Sequence, residues 1–496
     1  MKTKITLIFF TIITIWQGGF TDIAWLFCGV FASTMLAFTF HKSMNKLALS
    51  CLCGLLLTYI IAALMGSGLV DNRGGIARIA VLIVLTLFLA NTTVDVQGSA
   101  FWAGLIVAVT GIAGFVLPVD GLVENGRLYG VFQYANAAGV FLAVCAFLTR
   151  LTEGRRRHAA WVMEAALLLT QSVGAVAVYV LGWAVYALFI QRVKAERPRK
   201  RSLYLIWGGM AAVTLGGLFI LRGFRPFSTF AERLTHIKDG ATVIAANPFG
   251  IGAGAWELQY RAYQSSDYMA AIPHCGYVQI GLAGGFAALL ITFALIGYWL
   301  WRVKRASVNR YTIAALMILV HAAQDITFSF AAIVFLLLMC IYAAVYEQSD
   351  DVHKVNAKSR LSVLFSLPVI VFVTLSVPEA VKNRAEWAAS VGEYSEAITQ
   401  LERGFLLKDD TRATLLRMEY AYLNGDYAAV ERAFGELHNP NYRAFYIKSM
   451  SLLHEKDLTN AEMYAILCIE NASHWSGGHD LLAEIRLCAY AGGDLT

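Results

Sequence analysis

Charged residues are scarce in this sequence. Aspartate, glutamate, lysine and arginine make up 15% of its 496 residues and hydrophobic residues 58%, whereas a soluble domain carries about 25% charged residues. Hydrophobic runs long enough to cross a bilayer core of about 30 Å recur along the chain. They lack the period-two alternation of a membrane β-barrel. The sequence therefore predicts an all-α fold, a polytopic bundle of transmembrane helices.

Signatures of metal, nucleotide and nucleic-acid sites are also missing. The eight cysteines form no Cys-x-x-Cys pair and no His/Cys ligand spacing, so we expect no metal and no cofactor. The glycines of 247–254 lack the Lys-Ser/Thr of a nucleotide-binding loop. The net charge of +6 follows the membrane topology and gives no reason to expect nucleic acid. Cys468 and Cys488 could pair, although nothing in the sequence requires it.

Thirteen hydrophobic stretches are predicted to span the membrane, and twelve is the alternative because two pairs of stretches are short. The first stretch follows Lys2 and Lys4 as a signal peptide would. No small-residue cleavage site comes after it, so we interpret it as a retained helix. The predicted spans are 5–20, 22–40, 47–66, 76–91, 99–117, 134–149, 159–173, 174–191, 203–221, 275–300, 311–325, 327–346 and 361–377.

Basic residues give these spans an orientation. Clusters such as Arg155–Arg157 occupy alternate loops, as expected if those loops face the cytoplasm. Two long loops, 118–133 and 222–274, then lie outside the cytoplasm, together with the tail. We predict a polytopic membrane domain over 1–378 and an extracytoplasmic helical domain over 379–496.

The tail contains a weak internal repeat. Gly392-Glu393-Tyr394 is echoed by Gly425-Asp426-Tyr427 and more faintly by Lys456-Asp457-Leu458. A small residue and an aromatic residue at a turn, repeated about every 34 residues, is the tetratricopeptide pattern of paired helices. Stacked pairs form a curved surface that usually holds a peptide or protein partner. A helical cap without a ligand is the alternative.

Several arginines lie on the predicted outer side, where basic residues are expected to be few. Arg127 precedes a helix whose mouth carries Asn136, and Arg222, Arg225 and Arg233 follow in the longer loop. Singly, such arginines touch lipid headgroups or cap helices. Together they are better explained by an anionic ligand, because guanidinium groups and helix N-termini both bind phosphate.

Two histidines complete the candidate site. His274 ends the long loop and can take a proton from a hydroxyl group near neutral pH; an interfacial hydrogen bond is the alternative. His321 and Asp325 are four residues apart at the outer end of a span, which would place them on one helix face. Ionisable groups there face a cavity or each other, so a polar site and a structural pair both stay open.

In order and spacing, residues 127–346 resemble the O-antigen ligase/polymerase superfamily of membrane glycosyltransferases. Each motif alone is degenerate, and it is the order of the motifs along the chain that is specific to the family. The residues that carry the resemblance are Arg127-x-x-Gly-x-Phe-x-Tyr-x-Asn136, Arg233 opening the long loop, Asn247-Pro-Phe-Gly-Ile-Gly252, His274 before Tyr277 and Gln279, and His321-x-x-x-Asp325.

The resemblance implies a GT-C-like fold and a metal-independent enzyme without cofactors in a bacterial cytoplasmic (inner) membrane. Such enzymes transfer or polymerise glycan from an undecaprenyl-diphosphate carrier onto a hydroxyl acceptor on a glycan, a lipid or a protein. By this resemblance Arg233 binds the donor diphosphate and His274 activates the acceptor. The supporting residues would be Arg127, Arg222 and Arg225 for the diphosphate, and Asn136, Tyr277, Gln279, His321 and Asp325 as polar groups.

The sequence departs from the family pattern at three positions. Val173 stands where the family has an arginine, Cys275 where it has an asparagine, and Ala283 where it has a glutamate. These departures leave a non-catalytic member, acting in cell-surface polysaccharide assembly, as one alternative. A transporter or flippase of lipid-linked sugars is another, although the charges crowd the outer face and not the bilayer midplane.

Overall fold

The fold is described from a computed structural model. The structure describes residues 2–40, 45–117, 119–193, 225–306, 308–346, 365–404 and 407–492. Twenty α-helices lie within these ranges: α1 Lys2–Ile15, α2 Asp22–Thr39, α3 Lys46–Met65, α4 Leu69–Ala90, α5 Val96–Val116, α6 Ala135–Arg150, α7 Ala160–Leu169, α8 Val173–Val193, α9 Arg225–Ala246, α10 Ala255–Tyr263, α11 Gly276–Ala306, α12 Arg310–His321, α13 Ala331–Tyr346, α14 Ser366–Ser390, α15 Tyr394–Arg403, α16 Thr411–Leu423, α17 Tyr427–Gly435, α18 Tyr442–His454, α19 Leu458–Asn471 and α20 Ser476–Gly492.

Four helices are long and apolar enough to cross a membrane, judged by length and composition. They are α3, α4, α5 and most of α11, and six shorter apolar helices accompany them. Each predicted span within the described ranges contains helix, whereas span 203–221 lies outside those ranges. The all-α prediction is confirmed for the described residues, apart from a hairpin of two short strands, β1 Val123–Glu124 and β2 Arg127–Leu128.

Two helix boundaries differ from the predicted ones. Helix α4 begins at Leu69 and not at residue 76, because Gly68 turns the chain with φ +90°. Arg73 therefore lies on a helix and not in an outer loop. Helix α14 runs through Pro378 to Ser390, so one helix crosses the predicted boundary between the membrane domain and the tail.

Helix α6 lies at the centre of the main hydrophobic core. Its residues 137–149 are all buried, and α1, α5, α12 and α13 contribute side chains to the same core. A helix that is apolar all round belongs inside a bundle. Asn136 occupies the first turn of α6, so a polar side chain lies at the N-terminal end of this buried helix.

Helix α11 is broken at Gly285, where the long loop docks on it. Gly285 has φ +71° and ψ −164°, a conformation that essentially only glycine adopts. The break frees the carbonyl of Leu282, which accepts a hydrogen bond from the Ile251 N–H at 2.8 Å. A Cβ at Gly250 would collide with the helix backbone at this point. The glycines of 247–254 therefore serve backbone-to-backbone docking.

The tail helices pack in chain order, each against the next. Helix α16 also contacts α18, and α18 contacts α20. The turns before α15, α17 and α19 each contain one left-handed residue: Gly392 at φ +86°, Gly425 at +75° and Lys456 at +63°. The same backbone turn thus recurs where the sequence repeats, while membership of the tetratricopeptide class stays a prediction.

A buried cluster of four charges joins the tail to α4, and we call it the tail lock. Arg73 Nη2 lies 2.6 Å from Asp410 Oδ2 and 3.2 Å from Glu379 Oε1. Lys382 Nζ lies 3.0 Å from Glu379 and 3.3 Å from Asp410. Two positive and two negative groups therefore balance in a site that water barely reaches.

Candidate functional site

Asp325 is the centre of a polar network on one side of the helix bundle. Its carboxylate accepts hydrogen bonds from Tyr134 Oη at 2.8 Å and Asn136 Nδ2 at 2.8 Å. Arg233 Nη2 lies 3.1 Å from Asp325 Oδ2. Asp325 itself is 1% exposed. Residues from three distant segments, Tyr134 with Asn136, Arg233, and Asp325 itself, therefore meet at one carboxylate. We call this network the Asp325 site.

Arg127 reaches this site from the β1–β2 hairpin. The hairpin turns at Asn125 and Gly126, with φ +50° and +69°, as a two-residue turn with two left-handed residues requires. Arg127 Nη2 donates to Asn136 Oδ1 at 3.1 Å, and its Nε donates to the Thr170 carbonyl at 3.0 Å. The hairpin thus fixes the guanidinium group of Arg127 against Asn136, which in turn donates a hydrogen bond to Asp325.

Arg233 reaches the site from helix α9. Its Nη1 donates to the Gln324 carbonyl at 2.9 Å, and its Nη2 pairs with Asp325. Its Nε is buried and has no hydrogen-bond partner among the described residues. An unsatisfied buried donor costs about 1–3 kcal/mol, so this guanidinium group is suited to one more acceptor, such as a phosphate oxygen.

His274 lies at the edge of the network, in the segment between α10 and α11. Its Nδ1 is 3.5 Å from Tyr134 Oη, the upper limit of a hydrogen bond. Burial lowers the pKa of His274, with Arg233 acting in the same direction and Asp325 opposing it. The imidazole is therefore neutral near pH 7 and able to accept a proton.

A second imidazole, which the sequence analysis did not single out, packs beside His274. The His236 ring lies 5.5 Å from that of His274 and 4.3 Å from that of Tyr268, centroid to centroid. Burial lowers its pKa to about 4, and the neighbouring His274 adds to the shift. The spacing from Arg233 to His236, one helical turn, is the signal that could have identified it.

Three predicted residues have structural bonds next to the network and not in it. His321 Nδ1 is 2.8 Å from Thr327 Oγ1. Tyr277 Oη donates to the Leu319 carbonyl at 3.0 Å, and Gln279 Nε2 donates to the Pro273 carbonyl at 2.8 Å. These bonds fix the backbone on either side of the site.

Contrary to the prediction from their spacing, His321 and Asp325 do not share a helix face. Helix α12 ends at His321, so Asp325 lies in the following turn and not on the same helix face. Two of the predicted arginines cannot be placed: Arg222 lies outside the described residues, and the side chain of Arg225 does as well. Arg127, Arg233, His274, Asn136 and Asp325 are the predicted residues that the structure brings together.

The tail holds the loop that carries His274. Leu258, on helix α10, packs into the core between α16 and α18, and Asn441 Nδ2 donates to its carbonyl at 2.9 Å. Further along the loop, the Arg261 guanidinium group lies 4.6 Å from the Trp475 ring, and Ser476 N donates to Asp267 at 3.1 Å. The tail therefore positions the loop, in addition to any partner it binds.

No family model matches this sequence, and no curated protein is significantly similar to it. Among the described residues, no group of three or more His, Cys, Asp or Glu side chains is placed to hold a metal ion.

Proposed function

We propose that the protein is a membrane glycosyltransferase, similar to O-antigen ligases and polymerases, that uses a polyprenyl-diphosphate-linked glycan as donor. The observation that carries the proposal is the meeting of Arg127, Arg233 and His274 around Asp325. Arg233 pairs with Asp325, and Arg127 binds Asn136 beside it, so two guanidinium groups and one carboxylate leave a net positive charge for an anionic donor group. A neutral imidazole beside them can accept the proton of an acceptor hydroxyl group.

The chemistry of glycosyl transfer fits these groups. The acceptor oxygen bonds to the anomeric carbon, the bond from that carbon to the diphosphate oxygen breaks, and the electron pair leaves with the diphosphate. His274 receives the hydroxyl proton. Negative charge develops on the leaving diphosphate, and the fixed guanidinium groups of Arg127 and Arg233 stabilise it electrostatically.

A cavity beside the site supports a lipid-linked donor. Its volume is about 510 Å³, and Pro273 and Gln279, which border His274, line it together with Ser329. Apolar side chains from α2, α3, α4, α11 and α13 form most of its wall, among them Trp25, Leu55, Ile79, Ile280 and Leu338. The apolar part of this wall suits a hydrocarbon chain, and charged side chains such as Arg78, Arg302 and Arg412 line the cavity as well.

The proposal includes a location and an architecture. We place the protein in a bacterial cytoplasmic membrane with twelve or thirteen spans, its long loop and tail on the outer face. Support for the sidedness comes from the basic loops of the sequence. The left-handed turns at Gly392, Gly425 and Lys456 support tetratricopeptide-like repeats in the tail.

The decisive experiment is transfer by purified protein in nanodiscs, with a polyprenyl-diphosphate glycan and a panel of sugar, lipid and peptide hydroxyl acceptors. We expect His274→Ala to lower turnover by about 10²–10⁴-fold, the range for a general base. Arg233→Ala should lower it by about 10²–10³-fold and weaken binding of the lipid diphosphate. Arg432→Ala, an exposed arginine on the tail, is the control and should be unaffected. Normal turnover in both site variants would refute the proposal.

A further inference from the structure

Helix α9 has an apolar face that no described part of the protein covers. Phe230 is 56% exposed and Leu234 is 50% exposed. Ala241 and Ala245 are exposed as well. At 100° per residue these four positions fall within one narrow sector of the helix. The helix therefore presents a continuous apolar stripe, which we call the α9 stripe.

The other two faces of α9 have different environments. His236, Asp239 and Val243 are buried against the loop core. Lys238 and Thr242 are exposed and form a polar face on the other side of the stripe. One face of α9 thus packs on protein, a second is polar and exposed, and a third is apolar and exposed. This pattern is typical of a helix that lies in a membrane interface.

The α9 stripe lies beside α11, against which the neighbouring buried face of α9 packs. Ile244 of α9 packs over Gly281 of α11, where a Cβ would collide with it. Helix α11 is long and apolar enough to cross a membrane. Beyond the break at Gly285, two apolar side chains of α11 are exposed, Phe286 at 47% and Leu290 at 70%. Phe249 in the loop is 56% exposed.

We infer that helix α9 lies in the outer bilayer interface and that the α9 stripe contacts membrane lipid. Continuity with the exposed apolar side of α11 identifies the occupant as lipid and not as a protein. Lys238 and Thr242 then face water or headgroups. Arg233 lies at the border between the stripe and the buried face, so it links the Asp325 site to the lipid surface.

Spin labels give a direct test that needs no enzymatic activity. The background is the full-length protein with its exposed cysteines, Cys53 and Cys488, changed to serine. Single cysteines are introduced at Phe230, Leu234 and Ala241 to label the stripe. Others are introduced at Lys238 and Thr242 to label the polar face. The labelled protein is reconstituted in phosphatidylethanolamine/phosphatidylglycerol vesicles. We expect stripe labels to be reached by oxygen several-fold more than by a water-soluble nickel chelate, and polar-face labels to show the reverse.

Three outcomes would overturn the inference. Stripe labels that collide with the nickel chelate as often as Lys238 labels would place the helix in water. Stripe labels shielded from both reagents, with dipolar broadening between copies, would show a second copy on the stripe. Shielding from both without broadening would show another part of this chain on it. None of these results depends on whether the protein transfers glycan, so the inference and the proposed function fail separately.

Discussion

The Asp325 site and the tail lock are both buried clusters of arginine and carboxylate groups, and they differ in charge balance. In the tail lock, Arg73 and Lys382 meet Glu379 and Asp410, and every one of these groups has a partner. In the Asp325 site, Arg233 pairs with the carboxylate, whereas Arg127 is bonded to two neutral groups, the Asn136 amide and the Thr170 carbonyl. Arg233 Nε has no partner among the described residues. A balanced cluster stabilises a fold; an unbalanced one can bind an anion.

The largest expected effect comes from breaking the tail lock with Asp410→Ala. Breaking a buried ion pair costs about 3–5 kcal/mol, because Arg73 and Lys382 would then share a single carboxylate. Asp410 also caps α16 by accepting a hydrogen bond from Ala413 N. We expect a large drop in the thermal midpoint in detergent and faster proteolysis of the tail.

The matched control for this experiment is Asp426→Ala. Asp426 caps α17 in the same way but is exposed and has only a distant cation. Its loss should cost about 1 kcal/mol, the worth of a cap. Equal losses in the two variants would show that the buried charges of the lock contribute little.

A smaller effect is expected from Asp325→Asn. The amide keeps the shape but has a single acceptor oxygen, so it keeps one of the hydrogen bonds from Tyr134 and Asn136, which go to different oxygens of the carboxylate. It also loses the ion pair with Arg233. Hydrogen bonds to charged groups are worth about 1.5–3 kcal/mol, which sets the expected loss of stability. Binding of a lipid diphosphate should persist, because both guanidinium groups remain. Complete loss of binding with normal stability would contradict the charge-balance comparison.

The smallest effect concerns the pH dependence of stability. His236 has its pKa lowered from 6.5 to about 4 by burial, with His274 and Arg233 adding to the shift and Glu232 and Asp239 opposing it. Tyr268 packs on its ring. Between these two pH values the unfolded chain binds a proton that the folded protein does not, so stability falls as the pH drops from 6.5 towards 4.

His236→Phe should remove part of this pH dependence, measured as the thermal midpoint at pH 4.5, 5.5 and 7.5. The slope that disappears stays below the one-proton limit of about 1.4 kcal/mol per pH unit. His274 keeps its own contribution, because its pKa is lowered as well. An unchanged pH profile would show that His236 is not held neutral by the fold. His158→Phe, on an exposed turn, is the control.

The sequence predicted the helices and most residues of the Asp325 site. It did not predict the contacts that those residues make with one another. Composition predicted the helices because hydrophobic runs are local features. Arg127, Arg233 and His274 were predicted as a group from their side of the membrane, and the structure joins them. Asp325 was expected on the same helix face as His321, with a pair between them as one alternative. Its central role depends on where α12 ends, which helix periodicity does not specify.

Contacts between distant segments were beyond the sequence analysis for a physical reason. The tail lock joins residues 73 and 410, and no local pattern records that separation. The glycines near Gly250 lack the sequence of a nucleotide-binding loop, but nothing local predicts their docking on α11, which depends on the conformation of Gly285 in three dimensions. The Asn125-Gly126 hairpin was predictable from its turn chemistry and was missed.

The break at Gly285 divides α11 mechanically. The nine residues before it, 276–284, hold the docked loop and come soon after His274, while the longer part after it exposes apolar side chains such as Phe286 and Leu290. A change in bilayer thickness tilts a membrane helix. Because the interrupted backbone cannot transmit that tilt as a rigid rod, we expect the geometry around His274 to stay constant in thin and thick bilayers, and the Asp325 site to tolerate changes in membrane lipid composition.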